Sequence, residues 1–223
     1  MPRGSSAPRA AAPSSAQRHG KRARTRQALL EATLRVLARG GSGPVSIQEV
    51  TAEAGLANGT FYNYFRTREE LLEATVVPLV QRLIGRLNAG ATTIQDPAQR
   101  LALGVRAFIE HAVADPTWAA ALLRIWGSTA SLPRRAGAGV LSDLHAAQKK
   151  RRLRIPDPGA ALDLIQGTVI ASIRSVIEGR AGTERGPAIA ALLLRAFGMP
   201  AREADTLANA DMPVLVPTES VET

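Results

Sequence analysis

At 223 residues the chain is long enough to bury a substantial core, as one large domain or a small domain beside a larger one. It contains no cysteine, which excludes disulfides, thiolate metal sites and cysteine nucleophiles and fits a reducing compartment. Lys and Arg number 28 against 19 Asp and Glu, and the resulting +9 suits an anionic partner without requiring one; the wealth of Ala, Leu and Arg favours helices over strands.

The first twenty residues mix Ala, Ser, Pro and Arg, with no acid before Glu31. Pro2, Pro8 and Pro13, with Gly4 and Gly20, would break the amphipathic helix of an organellar transit peptide, and no apolar stretch serves as a secretory signal. Residues 1–20 therefore read as a disordered basic leader. A helical period begins near Thr25, with Leu30, Leu34 and Leu37 at i, i+4 and i+7. Gly40, Gly41, Gly43 and Pro44 stop it.

A second helix opens at Ser46-Ile47-Gln48-Glu49, a capping-box pattern, and buries Ile47, Val50, Thr51 and Ala54. Gly55 ends it at a tight turn. A third, very short helix then carries Thr60, Phe61, Tyr62, Asn63, Tyr64 and Phe65, with Phe61 and Phe65 four apart as inward anchors. A second capping-box pattern, Thr67-Arg68-Glu69-Glu70, starts a fourth helix whose apolar stripe runs through Leu72, Val76, Leu79, Leu83 and Leu87, with a kink expected at Pro78.

Beyond residue 90 the pattern stays helical. Asp96-Pro97 and Asp115-Pro116 open two helices, ending near Ala114 and Gly127; Pro133 precedes a third that ends in the basic run 149–154. An apolar helix follows from Gly159 to Gly179, and another from Pro187 to Gly198, with an irregular tail from residue 201. The fold class is all-α: a helix-turn-helix domain over residues 21–68 and a larger helical domain over 69–200. No stretch reaches the roughly 18 uninterrupted apolar residues of a membrane span, since the best run, 160–177, is broken by Asp163, Gln166 and Arg174.

Three helices with a glycine turn between the second and third place the third in the major groove of DNA. The run V-S-I-Q-E-V-T-A-E-A-G-L-A-N-G-T-F-Y-N-Y-F-R-T-R-E-E-L-L, residues 45–72, resembles the DNA-binding signature of the TetR family, and the preceding helix with Leu29, Leu30, Ala32 and Leu37 matches that family's first helix. The resemblance implies that Tyr62 and Arg68 rest on phosphates and that Thr60 and Tyr64 touch backbone or base edges. It also implies that Asn58, Gly59 and Asn63 set sequence preference, and that Ser46 and Gln48 reach the backbone and sometimes a base. Three positions depart from the family. Arg68 replaces the usual lysine, keeping the charge. Thr51 replaces alanine and needs a partner for its hydroxyl. Ala57 replaces a capping serine, a loss of about 1 kcal/mol unless Asn58 caps one residue later. The basic cluster Arg18, Lys21, Arg22, Arg24 and Arg26 is either a solvated leader or an arm along the phosphates.

For the larger domain the resemblance implies a ligand pocket and a dimer interface. Phe108, His111, Trp118, Leu122 and Trp126 are candidates for the pocket, with ordinary core as the rival reading. Leu162, Ile165, Val169 and Ile173 on one apolar helix, with Ile189, Leu193 and Phe197 on the next, are candidates for a four-helix interface; a buried helix of a monomeric bundle is the rival. His19, His111 and His145 lie far apart without metal-ligand spacing. No catalytic motif is present, and Glu69 and Glu70 complement a helix dipole. The expectation is a regulator without catalytic residues, metal or cofactor, located in the bacterial cytoplasm at the nucleoid. Its partners are double-stranded DNA, a second copy of itself and a small-molecule effector, with no membrane. A sequence-independent basic DNA-coating protein is the alternative.

Overall fold

The computed structural model describes residues 15–39, 44–126 and 131–213, and among these residues every regular element is a helix. In order they are α1 (Ser15–Ala38), α2 (Ile47–Glu53), α3 (Asn58–Phe61), α4 (Arg68–Gly90), α5 (Pro97–Ala114), α6 (Pro116–Ile125), α7 (Ser131–Lys149), α8 (Pro158–Ile177), α9 (Arg185–Ala196) and α10 (Ala201–Ala208). Leader residues 1–14, the stop glycines 40, 41 and 43, Gly127 and tail residues 214–223 lie outside the described residues.

Side-chain caps start α2, α4, α5, α6 and α8. The Asp96, Asp115 and Asp157 carboxylates accept from Ala98 N at 3.0 Å, Trp118 N at 2.9 Å and Gly159 N at 2.8 Å, and each is followed by a proline in the first turn. At α2 the box closes in both directions: Ser46 Oγ accepts from Glu49 N at 3.1 Å, and the Glu49 carboxylate accepts from Ser46 N at 2.8 Å. At α4 it does not. Thr67 accepts from Glu70 N, but the Glu70 carboxylate accepts from Arg66 N at 2.7 Å, one residue ahead of the expected partner.

The sequence expectation needs correcting at three boundaries. α1 starts at Ser15 instead of near Thr25, so residues 15–20 belong to a helix and not to a disordered leader. No proline lies between Pro13 and Pro44, and a long helix absorbs exposed Gly20 at about 1 kcal/mol relative to alanine. α7 starts ahead of Pro133, which sits in the first turn where a missing N–H is harmless. Residues 201–208, expected to be irregular, form α10, which buries Ala204 and Ala208 and is tied down by the Arg195–Asp205 pair and by Arg152 on Glu203 at 2.6 Å. Arg152 also holds Asp96 at 2.8 Å. Burial pushes the Asp96 carboxyl up, but Arg152, the Ala98 amide and Lys150 together outweigh it and hold the group below its ordinary value.

One continuous core runs through the molecule. At one end α1 packs on α2 and α4, around Leu29, Leu37, Val50, Phe61, Phe65 and Leu71. At the other, α5 is the central helix, with Leu101, Leu103, Ile109 and Ala112 buried and α7, α8, α9 and α10 packed about it. The two ends are bridged by α4 and by α6, which rests on both α1 and α8. Pro78 lies inside α4 and removes one backbone donor from it. Buried hydroxyls of Thr33, Thr75, Ser172 and Ser175 donate to carbonyls one turn back. By length and mean hydropathy alone α8 could reach across a bilayer, but Asp163, Gln166 and Arg174 interrupt it as expected, and Ala161, Ile165, Val169 and Ile173 are buried in the bundle.

Candidate functional site

The end built from α1, α2 and α3 presents the residues singled out for DNA. Gly55, at φ +66°, terminates α2: its amide donates to the Ala52 carbonyl at 3.1 Å and the next amide, of Leu56, to Thr51 at 2.8 Å. Thr51 places its added hydroxyl without strain, donating to the Ile47 and Gln48 carbonyls at 3.0 and 3.2 Å. α3 is only four residues long and no side chain caps it, neither Ala57 nor Asn58, so tertiary anchors hold it. Phe61 and Phe65 supply them, both buried, with ring centroids 5.8 Å apart.

With those two rings turned inward, Gln48, Asn58, Gly59, Tyr62 and Asn63 are exposed, Tyr62 by 59%, while Ser46, Thr60, Tyr64 and Arg68 are half-buried. Two of the set are already engaged. The Ser46 hydroxyl belongs to the α2 cap, and the Arg68 guanidinium is paired with Glu69 at 2.8 Å. Glu69's own amide, then Arg68, holds that carboxyl below its ordinary range.

The extended α1 adds residues the sequence reading assigned to a loose basic cluster. Arg22 donates to the Asn63 carbonyl at 3.4 Å and lies 6.0 Å from the centre of the Tyr64 ring; Arg26 lies 5.3 Å from the Phe65 ring. Lys21, Arg22, Asn63 and Tyr64 line a shallow groove between α1 and the segment after α3. The i, i+4 spacing of Arg22 and Arg26 is the signal that could have shown them as props on one helix face.

At the other end a cavity of about 150 Å³ lies among α4, α5, α6, α7 and α8. Its walls are mostly apolar: Ile84 and Leu87 from α4, Leu101 and Phe108 from α5, Leu122 of α6 with Trp126 just after it, Val140 from α7, and Ile165 and Val169 from α8. Polar groups are few, and the pair Arg100–Asp143 joins α5 to α7. Of the five expected pocket residues, Phe108, Leu122 and Trp126 line this cavity. His111 and Trp118 do not. They pack on each other at 4.7 Å in an edge-on arrangement, with Phe108 5.9 Å from Trp118, so they form the core behind the wall. Burial pushes the His111 imidazole down; Asp115 opposes this and Arg86 adds to it.

Comparison with known proteins separates the same two parts. Residues 29–75 match the family described as bacterial regulatory proteins, tetR family, and residues 96–210 match the tetracyclin repressor-like C-terminal domain. The chain belongs to the TetR family of transcriptional regulators. Curated relatives include the HTH-type transcriptional regulator BetI of Yersinia pestis, 33% identical over 103 residues (45% of this chain and 50% of BetI), and BetI of Pectobacterium carotovorum, 31% identical over 101 residues (45% and 51%). The regulator thus spans about half the length of the curated relatives it matches. Among solved structures, RolR in complex with resorcinol is 28% identical with a TM-score of 0.71, covering 89% of this chain and all of that one. FadR of Bacillus subtilis with stearoyl-CoA, at 17% identity, TM-score 0.56 and coverage of 83% and 98%, shares the fold.

The regulator's α8 and α9 are turned differently from the sequence expectation. Ile165, Val169, Ile173, Leu193 and Phe197 are buried within the subunit's own core, and Leu162 and Ile189 are half-buried against it. The five buried side chains are thus taken up by the subunit's own core. The outward face of α8 instead carries Leu164, 46% exposed, with Gly167, Thr168 and Ala171 in helical register, and Ile177 at its end. On α9 the outward residues are Ala188 and Leu192, the latter 57% exposed, followed by Arg195. α7 meets α8 closely at Gly137, where a Cβ would lie 2.8 Å from Gln166 Nε2 and 3.0 Å from a Leu162 methyl.

Proposed function

We propose that this regulator is a homodimeric repressor of the TetR type, acting at the bacterial nucleoid, whose hold on a pseudo-palindromic operator is lowered by a small molecule in the cavity. Tyr62 and Arg68 contact phosphates. Asn58, Gly59, Thr60, Asn63 and Tyr64 face base edges, and Ser46 and Gln48 steady α2 on the backbone. Lys21 extends the phosphate track along α1. The dimer forms through the outward faces of α8 and α9, where Leu164 and Leu192 are the largest exposed apolar groups, packed about a two-fold axis.

The observation that carries the reading is the double attachment of α6. Leu122 and adjoining Trp126 face the cavity, while Arg124 between them donates to the Val36 carbonyl of α1 at 3.1 Å. An occupant that moves the α6 wall thus acts on the DNA-reading end, with α4 as a second route. The resorcinol held by RolR, a neighbour of similar length, supports a small-molecule effector here.

The test is selection of genomic fragments by the full chain, followed by footprinting and competition against random duplex at matched salt. Protection of two half-sites separated by a helical turn or a multiple of it, with strong preference over random duplex, is expected. Equal affinity for both duplexes would instead favour a sequence-independent coating protein.

A further inference from the structure

The cavity has one polar feature that its structural role leaves incomplete. Arg100 donates through Nε at 2.8 Å and through Nη2 at 2.5 Å, and both bonds fall on the same oxygen, Oδ1 of Asp143. Arg100 also donates through Nη1 to the Ile94 carbonyl at 2.8 Å, so each of its three nitrogens has an acceptor. Asp143 Oδ2 has no hydrogen-bond partner among the described residues, although a carboxylate oxygen accepts readily and Asp143, its side chain 21% exposed, is part of the cavity wall. Three of the five guanidinium N–H groups are engaged and its charge offsets that of the carboxylate, yet Oδ2 leaves the cavity a strong acceptor.

Size and shape restrict what meets that acceptor. An apolar cavity of about 150 Å³ is the size that holds a single benzene ring. Phe108 and Trp126 offer aromatic contact, and Leu101, Val140 and Val169 close the apolar walls. Arg135 and Gly139 share the lining with Asp143 on α7, but Arg135 is eight residues away, about 12 Å along the helix axis.

We propose that the cavity takes a single-ring aromatic alcohol, and that Asp143 selects it by accepting a hydrogen bond from the ring's hydroxyl. This rests on the reading that the cavity is the effector site. A donor at Oδ2 completes the carboxylate; a methyl ether of the same ring buries an acceptor against an acceptor; a ring carboxylate sets two anions face to face.

The experiment is calorimetric titration of the full chain with phenol, anisole, toluene and benzoate. Phenol binding at least tenfold tighter than anisole, toluene or benzoate is the expected result. Asp143→Asn keeps the volume but removes the charge, and should cut phenol affinity about tenfold while leaving toluene unchanged. Equal affinities for phenol and anisole, or benzoate ahead of phenol, would overturn the selection by Asp143 while leaving the cavity reading intact. Ala136→Trp fills the cavity from α7; phenol binding that survives it would show that the ligand sits elsewhere, and both readings would fall. The phenol-to-anisole ratio on the unmodified chain stands even if a variant fails to fold.

Discussion

Replacing Leu164 and Leu192 together by aspartate should convert the regulator to a monomer. The exposures of these two side chains, 46% and 57%, together amount to about one whole leucine left uncovered per subunit. Burying a leucine is worth about 1.5–3 kcal/mol, so the two subunits of a dimer gain about 3–6 kcal/mol from these residues alone. At about 1.4 kcal/mol per decade, that is roughly two to four orders of magnitude in the dimer dissociation constant, before the cost of burying carboxylates. Both positions face away from the subunit's own core, so the fold should survive, and circular dichroism checks it. Sedimentation velocity over a dilution series gives the dissociation constant, and operator binding should weaken in parallel. A doubly substituted chain that stays folded with the dimerisation constant of the original would refute the assignment of this face. The reciprocal control is Ile173→Val, which trims a residue with no exposure and should lower the melting temperature without altering the dimer constant.

Further outcomes follow from the DNA-reading end and from the half-buried His111. Arg68→Ala should weaken binding to all duplexes alike and reduce the salt slope by about one, whereas Asn63→Ala should alter preference among operator variants; fluorescence anisotropy at several salt concentrations separates the two. Glu69→Gln releases Arg68 from its partner and should raise affinity for any duplex at low salt, read by the same assay. Ser46→Ala breaks the α2 capping box and should cost about 1 kcal/mol in urea unfolding, while Ala57→Ser supplies the missing cap on α3 and should recover a similar amount. His111 is held below its ordinary value by burial, so the unfolded chain takes up the proton first as pH falls. Stability should therefore decline below about pH 6.5, and His111→Gln should flatten that part of a melting-temperature profile.

What was legible in the sequence was local. The Asp-Pro starts at 96 and 115 and the capping box at Ser46 are contained within four residues, and each forms as its spacing implies. Phe61 and Phe65 could be recognised as inward anchors because their spacing brings them onto one face. Orientation was harder. α8 is apolar around most of its circumference, so periodicity alone does not say whether Ile165 or Leu164 meets the core; that is decided by α5 and α7, far away in sequence. Of Trp118, Leu122 and Trp126, spaced four apart, the last two reach the cavity, but Trp118 begins α6 one turn too early and packs behind the wall. Arg100 and Asp143 are 43 residues apart, and no local pattern links them. α1 was cut short because a glycine and a run of basic residues mimic a leader, although no proline interrupts residues 14–43.

Pro78 gives α4 a mechanical character. Leu71 and Leu72, on its first half, are buried in the core at the DNA-reading end; Ile84, Leu87 and Asn88, on its second half, wall the cavity. Between them the helix lacks one rung of its hydrogen-bond ladder. A beam notched at one point yields there first, so load applied at the cavity end is taken up as a change of angle at the notch. On the function proposed above, the half that walls the cavity can be re-cut by substitution for new ligands while the half packed on α1 keeps its seat.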